Sequence, residues 1–177
     1  MIADALPLAS VTLRAATAED DVFLRRLYAS TREDELAVVD WSEEQKTAFL
    51  TMQFDAQSSY YRAHYPDAHF DIIEVEGVAA GRLYVFAGAS ELRVIDIALL
   101  PEYRNRGLGA SLMRNILRSA SETGRVVTIH VEVNNPARHL YERLGFAPIE
   151  ERGVYLLMRW ARTDSSPVVS EQKRAIA

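Results

Sequence analysis

Between Leu92 and Leu100 the chain is apolar almost without a break, interrupted only by Arg93 and Asp96 and ended by Pro101. That is the pattern of a central strand covered on both faces, because a strand open on one side alternates apolar and polar residues. From Gly107 onward Leu108, Leu112, Met113, Ile116 and Leu117 recur at helical spacing, and Gly124 supplies a C-terminal stop. Val126 to Val133 is then a second buried strand. Strand, helix and strand in that order make a crossover connection, which commits the chain to helices layered on a sheet.

Caps and turns delimit the other elements. Val11 to Arg14 alternates like a short strand, and Thr17-Ala18-Glu19-Asp20 opens a helix carrying Phe23, Leu24, Leu27 and Tyr28. Ser42-Glu43-Glu44-Gln45 is a capping box for a second helix with Phe49, Met52 and Phe54, which must end before Pro66. Phe70 to Val75 and Val78 to Phe86 flank Glu76-Gly77 as a hairpin, and Gly88-Ala89-Ser90 makes the next turn. Asn135-Pro136 starts a short helix that runs through Tyr141 to Leu144 and closes at Gly145. Phe146 to Ile149 and Val154 to Trp160 form a last hairpin. The expected fold is α/β, a mixed and mostly antiparallel sheet of about seven strands flanked by about four helices. It should form a single domain over residues 1–162, with 163–177 a disordered tail, because the composition there turns to Ser, Thr, Pro and charge.

Of the 177 residues 49% are apolar, enough for the core of one domain. A net charge of -5 leaves no clustered basic face for nucleic acid. The absence of cysteine removes disulfides, thiol nucleophiles and thiolate metal sites together and fits a reducing compartment. No basic stretch precedes the apolar residues of Met1 to Pro7, Asp4 and Pro7 interrupt them, and no apolar run nears the roughly 18 residues of a membrane span. The chain is therefore expected to be soluble and cytoplasmic, without nucleic acid or membrane as partner. Whether it forms a homodimer is open. His64, His69, His130 and His139 show no metal-ligand spacing, so no metal is expected.

Gly107 and Gly109 fall where a strand gives way to a helix. The first turn of a helix has N–H groups without internal partners and a partial positive charge, and glycines let an anion approach the backbone. Arg104 and Arg106 would add charge. By itself such a pair also serves as a plain tight turn. The sequence lacks the Gly-Lys-Ser/Thr of a Walker loop and has Leu112 where a dinucleotide fingerprint needs its third glycine.

Arg104-x-x-Gly107-x-Gly109, following Ile97-Ala98-Leu99-Leu100-Pro101, resembles the acetyl-CoA signature of the GNAT acetyltransferases. Asn135-Pro136-Ala137-Arg138-His139-Leu140-Tyr141-Glu142-Arg143-Leu144-Gly145-Phe146 resembles the second hallmark of that family. The likeness is close from Glu91 to Trp160 and general before it. It implies an enzyme that moves acetyl from acetyl-CoA to a primary amine by direct attack in a ternary complex; the alternative is a regulatory module that binds acyl-CoA without turnover. It implies that the backbone of Ala98 and Leu99 pairs with the pantetheine arm, and that N–H groups from Arg106 through Gly107, Leu108 and Gly109 to Ala110 cradle the pyrophosphate. Asn135 would touch the cofactor or an ordered water, although a wider spacing seen in some relatives selects Asn134.

The resemblance makes Tyr141 the general acid for the departing thiolate; otherwise it is a helix aromatic packed on Phe146. Where many members carry a glutamate this chain has Arg93. The general base then falls among Asp96, Glu132, His130 and Glu91, unless water takes the proton, and Asp96 or Glu132 could equally serve as a structural ion pair with Arg93. Glu33, Asp34, Glu35, Asp40, Glu43 and Glu44 form either a solvated face or a lure for a cationic amine. The acceptor itself, small molecule or protein amine, is not written in the sequence.

Overall fold

The structure is a computed structural model that describes residues 10–162, so the tail expected at 163–177 lies outside the described residues. In chain order the elements are β1 (Val11–Ala15), α1 (Asp21–Ser30), α2 (Glu33–Ala37), α3 (Glu43–His64), β2 (His69–Val75), β3 (Val78–Ala87), β4 (Glu91–Leu99), α4 (Leu108–Thr123), β5 (Val126–Glu132), α5 (Ala137–Arg143), β6 (Ala147–Arg152) and β7 (Tyr155–Trp160). Seven strands make one sheet in the order β1-β2-β3-β4-β5-β7-β6. Every neighbouring pair is antiparallel except β4 and β5, which α4 joins.

The local signals act as their chemistry demands. Ser42 Oγ accepts from the Gln45 N–H at 3.2 Å while Gln45 Oε1 accepts from the Ser42 N–H at 2.9 Å, closing the capping box of α3. That helix stops at His64, ahead of Pro66, whose ring disfavours helical backbone at Tyr65. Glu76 and Gly77 both take positive φ, 54° and 78°, the geometry of a tight hairpin turn whose twist matches the strands. Only α2 was not anticipated. It is a single turn of mostly acidic, exposed residues anchored by buried Leu36.

Two cores lie on opposite faces of the sheet. On one, Leu24 and Tyr28 of α1 and Phe54 of α3 pack on Ile72. On the other, Leu112, Met113, Leu117 and Ala120 of α4 pack on Ile73, Leu92, Val94, Val127 and Ile129, and Tyr141 and Phe146 join them. The expectation that β4 is covered on both faces holds only in part: Leu92 and Val94 are buried under α4, whereas Glu91 and Arg93 on the opposite face remain partly open. Among the described residues no helix is long and apolar enough to cross a membrane.

Gly81 of β3 sits against β4. A Cβ there would collide with the Ala98 carbonyl oxygen and come within 2.8 Å of Leu99 Cδ2. Gly81→Ala should therefore force the two strands apart and lower stability by about 1–3 kcal/mol. Urea unfolding would show it as a lower midpoint at unchanged slope.

Candidate functional site

The site begins where β4 and β5 part. They pair only from Glu91 with Val126 to Val94 with Ile129. Beyond that β4 stays with β3 as far as Leu99, while β5 stays with β7 as far as Glu132. A bulge assists the parting: Tyr84 faces Asp96 and Val85 faces Val94, so Ile95 is an extra residue that reverses the alternation. Arg93 and Asp96, three apart, thereby come to the same face. The ladder with β3, in which Leu100 N–H donates to Ala80 O at 2.9 Å, turns the backbone groups of Ala98 toward β3 and those of Ile97 and Leu99 toward the opening. The free edge thus offers Ile97 and Leu99, where the sequence pointed to Ala98 and Leu99.

At the end of this edge the chain makes its glycine turn. Asn105 and Gly107 take positive φ, 58° and 80°, and α4 starts at Leu108. The Cβ of another residue at Gly107 would meet nothing within 4 Å, so its backbone angle, not space, calls for glycine there. A Cβ at Gly109 would meet nothing nearer than Leu140 Cδ2 at 3.9 Å, so the fold leaves open room above it. The backbone N–H groups from Asn105 through Ala110 donate to no backbone carbonyl among the described residues, and the first helical bond runs from Ser111 N–H to Gly107 O. An oxyanion suits such a row of unsatisfied donors at a helix start. Leu108 is buried beside Val75 and Ala80 and pins the turn.

The two arginines differ, and only Arg104 departs from expectation. Arg104 is turned inward: its Nε donates to Leu99 O at 2.8 Å and its Nη2 to Ser30 O at 3.1 Å and Ser30 Oγ at 3.0 Å. Its guanidinium ties the end of α1 to the end of β4 rather than adding charge to the loop. Arg106 is exposed and lies over the Tyr103 ring at 6.0 Å.

Tyr141 comes from α5 into the second core, 5% exposed, with Phe146 at 5.8 Å between ring centres. Its hydroxyl has no hydrogen-bond partner among the described residues. Burial first, and the negative charge of Asp96 second, push its pKa above the ordinary tyrosine value. Asp96 itself is engaged: Oδ2 accepts from Arg82 Nη2 at 2.7 Å and from the Tyr61 hydroxyl at 3.3 Å. Its ion-pair partner is thus Arg82, not Arg93, which instead reaches Glu91 at 3.2 Å and the Tyr65 hydroxyl at 3.4 Å. Glu132, at the tip of β5, is reached by Arg32 at 3.4 Å. His130 lies on an open part of β5; burial first and Arg93 second lower its pKa, keeping the ring neutral near pH 7.

Asn135 Oδ1 accepts from the Ala137 N–H at 2.9 Å and so caps α5, while neighbouring Asn134 is exposed; both line a shallow cavity of about 290 Å³ at the head of that helix. Glu33, Asp34 and Glu35 are solvated on α2. Among the described residues no group of His, Asp or Glu is placed to hold a metal ion. The residues missed by sequence reasoning are Arg82, Tyr61 and Arg32. Of these only Arg82 left a local sign, as the one charge inside the apolar run of β3.

A family model described as the acetyltransferase (GNAT) family matches residues 18–146. A Bacillus subtilis protein provisionally named ribosomal protein bS18-alanine N-acetyltransferase is 30% identical over 123 residues, 68% of this chain and 82% of that protein. An N-alpha-acetyltransferase of Sulfurisphaera tokodaii is 28% identical over 99 residues, 48% of this chain and 59% of its own. Among solved structures, the PaiA N-acetyltransferase of Thermoplasma acidophilum in complex with coenzyme A superposes with a TM-score of 0.65 at 17% identity, over 86% of this chain and 99% of its own.

The inward grip of Arg104 has a measurable consequence. Arg104→Ala leaves the carbonyls of Leu99 and Ser30 without their charged donor and should cost about 1.5–3 kcal/mol of stability, read as a lower urea midpoint.

Proposed function

The chain belongs to the GNAT acetyltransferase family, an acyltransferase with acetyl-CoA as donor, and on that premise we propose that it acetylates a primary amine, with the α-amine at a peptide N-terminus as the favoured acceptor. The α-amine is suggested by the names of two relatives, one acting on an alanine of a ribosomal protein and one described as an N-alpha-acetyltransferase. The observation that carries the reaction is Tyr141: a buried tyrosine whose hydroxyl is left unbonded and whose pKa is raised. The same reading keeps the chain cytoplasmic, as one domain through residue 162, acting on an amine rather than on nucleic acid or membrane.

Acetyl-CoA fits what the residues offer. In this proposal its pyrophosphate takes the N–H groups from Arg106, Gly107, Leu108, Gly109 and Ala110, and its pantetheine arm takes the free edge of β4 at Leu99 and Ile97. The acceptor arrives as an ammonium and must lose two protons to become an amide. One goes to a carboxylate, Asp96 or Glu132, and thence to water, leaving a neutral amine that attacks the thioester carbon. As the C–N bond forms, the C–S bond breaks with its electron pair on sulfur, and Tyr141 protonates the thiolate. The second nitrogen proton refills Tyr141, so the sum is one amide, one thiol and one released proton. The raised pKa of Tyr141 keeps the phenol protonated to higher pH than usual, so its proton is in place when sulfur departs.

Gly109→Val should weaken acetyl-CoA binding more than about tenfold, some 1.4 kcal/mol. The branched side chain intrudes on the space above the turn, where the fold itself admits a Cβ with no contact nearer than Leu140 Cδ2 at 3.9 Å. Calorimetric titration of a variant shown folded by circular dichroism measures this, and an unchanged affinity would place the phosphates elsewhere.

A panel of peptides and small amines, screened for thiol release from acetyl-CoA, identifies the acceptor. With that acceptor Tyr141→Phe should lower turnover by roughly 10²-fold while acetyl-CoA affinity stays within about threefold, the loss expected of a positioned acid. In the parent, kcat/KM should show no alkaline fall from this group up to about pH 10, where an ordinary tyrosine would begin to deprotonate. A variant that turns over like the parent reduces Tyr141 to packing.

A further inference from the structure

Arg82 is the most deeply buried charge described in the molecule, 2% exposed in the middle of β3. Its Nη2 donates to Asp96 Oδ2 at 2.7 Å and to Gln57 Oε1 at 2.8 Å, and its guanidinium lies 5.2 Å from the centre of the Tyr84 ring. Nε and Nη1 are sealed from solvent with no hydrogen-bond partner among the described residues. This is an expensive arrangement. A buried ion pair seldom stabilises a fold more than apolar residues of the same size would, and unmatched donors add to the cost. A charged pair retained against that cost inside an apolar strand points to a task other than stability.

The geometry names the task. Arg82 and the Tyr61 hydroxyl both act on Oδ2 of Asp96, and Oδ1 is left without a partner among the described residues. The side chain of Asp96 is 14% exposed, so the free oxygen belongs to a carboxylate fixed in place but not closed off. The bulge at Ile95 is what sets it on this face, just where β4 has left β5. The rival carboxylate, Glu132, has 36% exposure, sits at the rim, and is met at 3.4 Å by Arg32, itself 25% exposed. Its pair is loose and screened, whereas the Arg82 pair is rigid.

We infer that Arg82 is a positioning residue that acts through Asp96: with Tyr61 it immobilises Oδ2, so that Oδ1 receives the acceptor's ammonium and takes its first proton. The inference rests on the acetyl-transfer reading above and chooses between the two carboxylates left open there. Asp96 then supplies the negative charge that a cationic amine must meet in a partly desolvated place, and Tyr141 stands as the separate proton donor for sulfur. The charged and titratable groups around Asp96 are Arg82 and Tyr84 from β3, Tyr61 from α3 and Tyr141 from α5, with Tyr155 of β7 acting on Tyr61. Among the described residues Arg82 is the cation in contact with Asp96, and Arg62 of α3 acts on Tyr84 from further out. The acceptor therefore brings the second positive charge, and an amine that is already neutral or acylated gains nothing from the site.

Asp96→Asn, Arg82→Lys and the double variant Arg82→Gln/Asp96→Asn would be compared with the parent, using an alanine-led peptide or the fastest amine of the panel. The double variant is neutral at both positions and so buries no unpaired charge, which keeps the comparison valid even where a single substitution at Arg82 fails to fold. Asp96→Asn should lose about 10²-fold in kcat/KM for the amine, with the acetyl-CoA Kd changed less than about threefold. Arg82→Lys, which keeps the charge but loses the fork, should lose about tenfold, again without loss of acetyl-CoA affinity. The double variant should be no worse than Asp96→Asn alone, because a residue acting only through Asp96 has nothing left to position. An Asp96→Asn variant with parental kcat/KM overturns the inference, as does a double variant whose loss multiplies beyond that of Asp96→Asn. A parent inactive toward every amine of the panel overturns the acetyl-transfer reading itself, and the inference with it.

Discussion

The structure depends on how β4 is shared. On one side it must satisfy an antiparallel ladder with β3 along its whole length; on the other it pairs with β5 in parallel and then abandons it after Val94. Backbone donors and acceptors in an interior strand need partners, so an edge left open there is a cost that the fold accepts. The crossover through α4 makes the opening useful. A helix that returns the chain to a parallel neighbour must begin at the carboxyl end of the first strand, and that places its unsatisfied N–H groups at the same end as the open edge. On the proposed reading, one extended arm along β4 and one anion at the head of α4 are bound by adjoining backbone, with side chains needed chiefly to keep the turn in shape. Arg104 serves that purpose by holding the last carbonyl of the edge and the end of α1 together.

Much of this was legible because it rests on local chemistry. The Ser42 capping box, the positive-φ turn at Glu76-Gly77 and the Gly107 turn are set by residues a few positions apart, and the structure places each where the sequence implied. What the sequence hid came from tertiary contact. The bulge at Ile95 has no marker of its own, and the ladder that turns Ile97 and Leu99, rather than the Ala98 that the family resemblance implied, to the free edge is set by β3. Arg104 reads as a phosphate ligand because the glycine turn at Gly107 and Gly109 follows it, but its partner Ser30 lies far away in the chain. Asp96 was paired in expectation with Arg93, its neighbour along the strand; the true partner is across the ladder, on β3. Helix α2 escaped notice because one turn of acidic residues shows no period.

The two candidate carboxylates illustrate how environment divides chemically identical groups. Glu132 and Arg32 both keep a good share of their surface in water, so their attraction is weakened by solvent and salt and either can leave the other at little cost. Arg82 cannot leave. Its side chain is enclosed by Gln57, Tyr84 and Asp96, and moving it would strand either a buried cation or a buried anion. A loose pair can be exchanged for an incoming ammonium; a locked pair can only be joined by one.

That difference bears on the order of proton movements. A site that must both accept a proton from nitrogen and give one to sulfur works only if its acid and its base do not neutralise each other first. Tyr141 keeps its proton because it is buried and because the Asp96 charge opposes formation of a second anion nearby. Arg82 holds the Asp96 carboxylate in place at 2.7 Å. Burial is the larger reason why the phenol keeps its proton, and the nearby anion adds to it. An ammonium bound at Oδ1 partly offsets the charge that opposes ionisation of Tyr141. In the proposed reaction an amine that still carries its proton at Oδ1 therefore weakens one of the two effects that keep Tyr141 protonated, and acetyl-CoA alone leaves both in force.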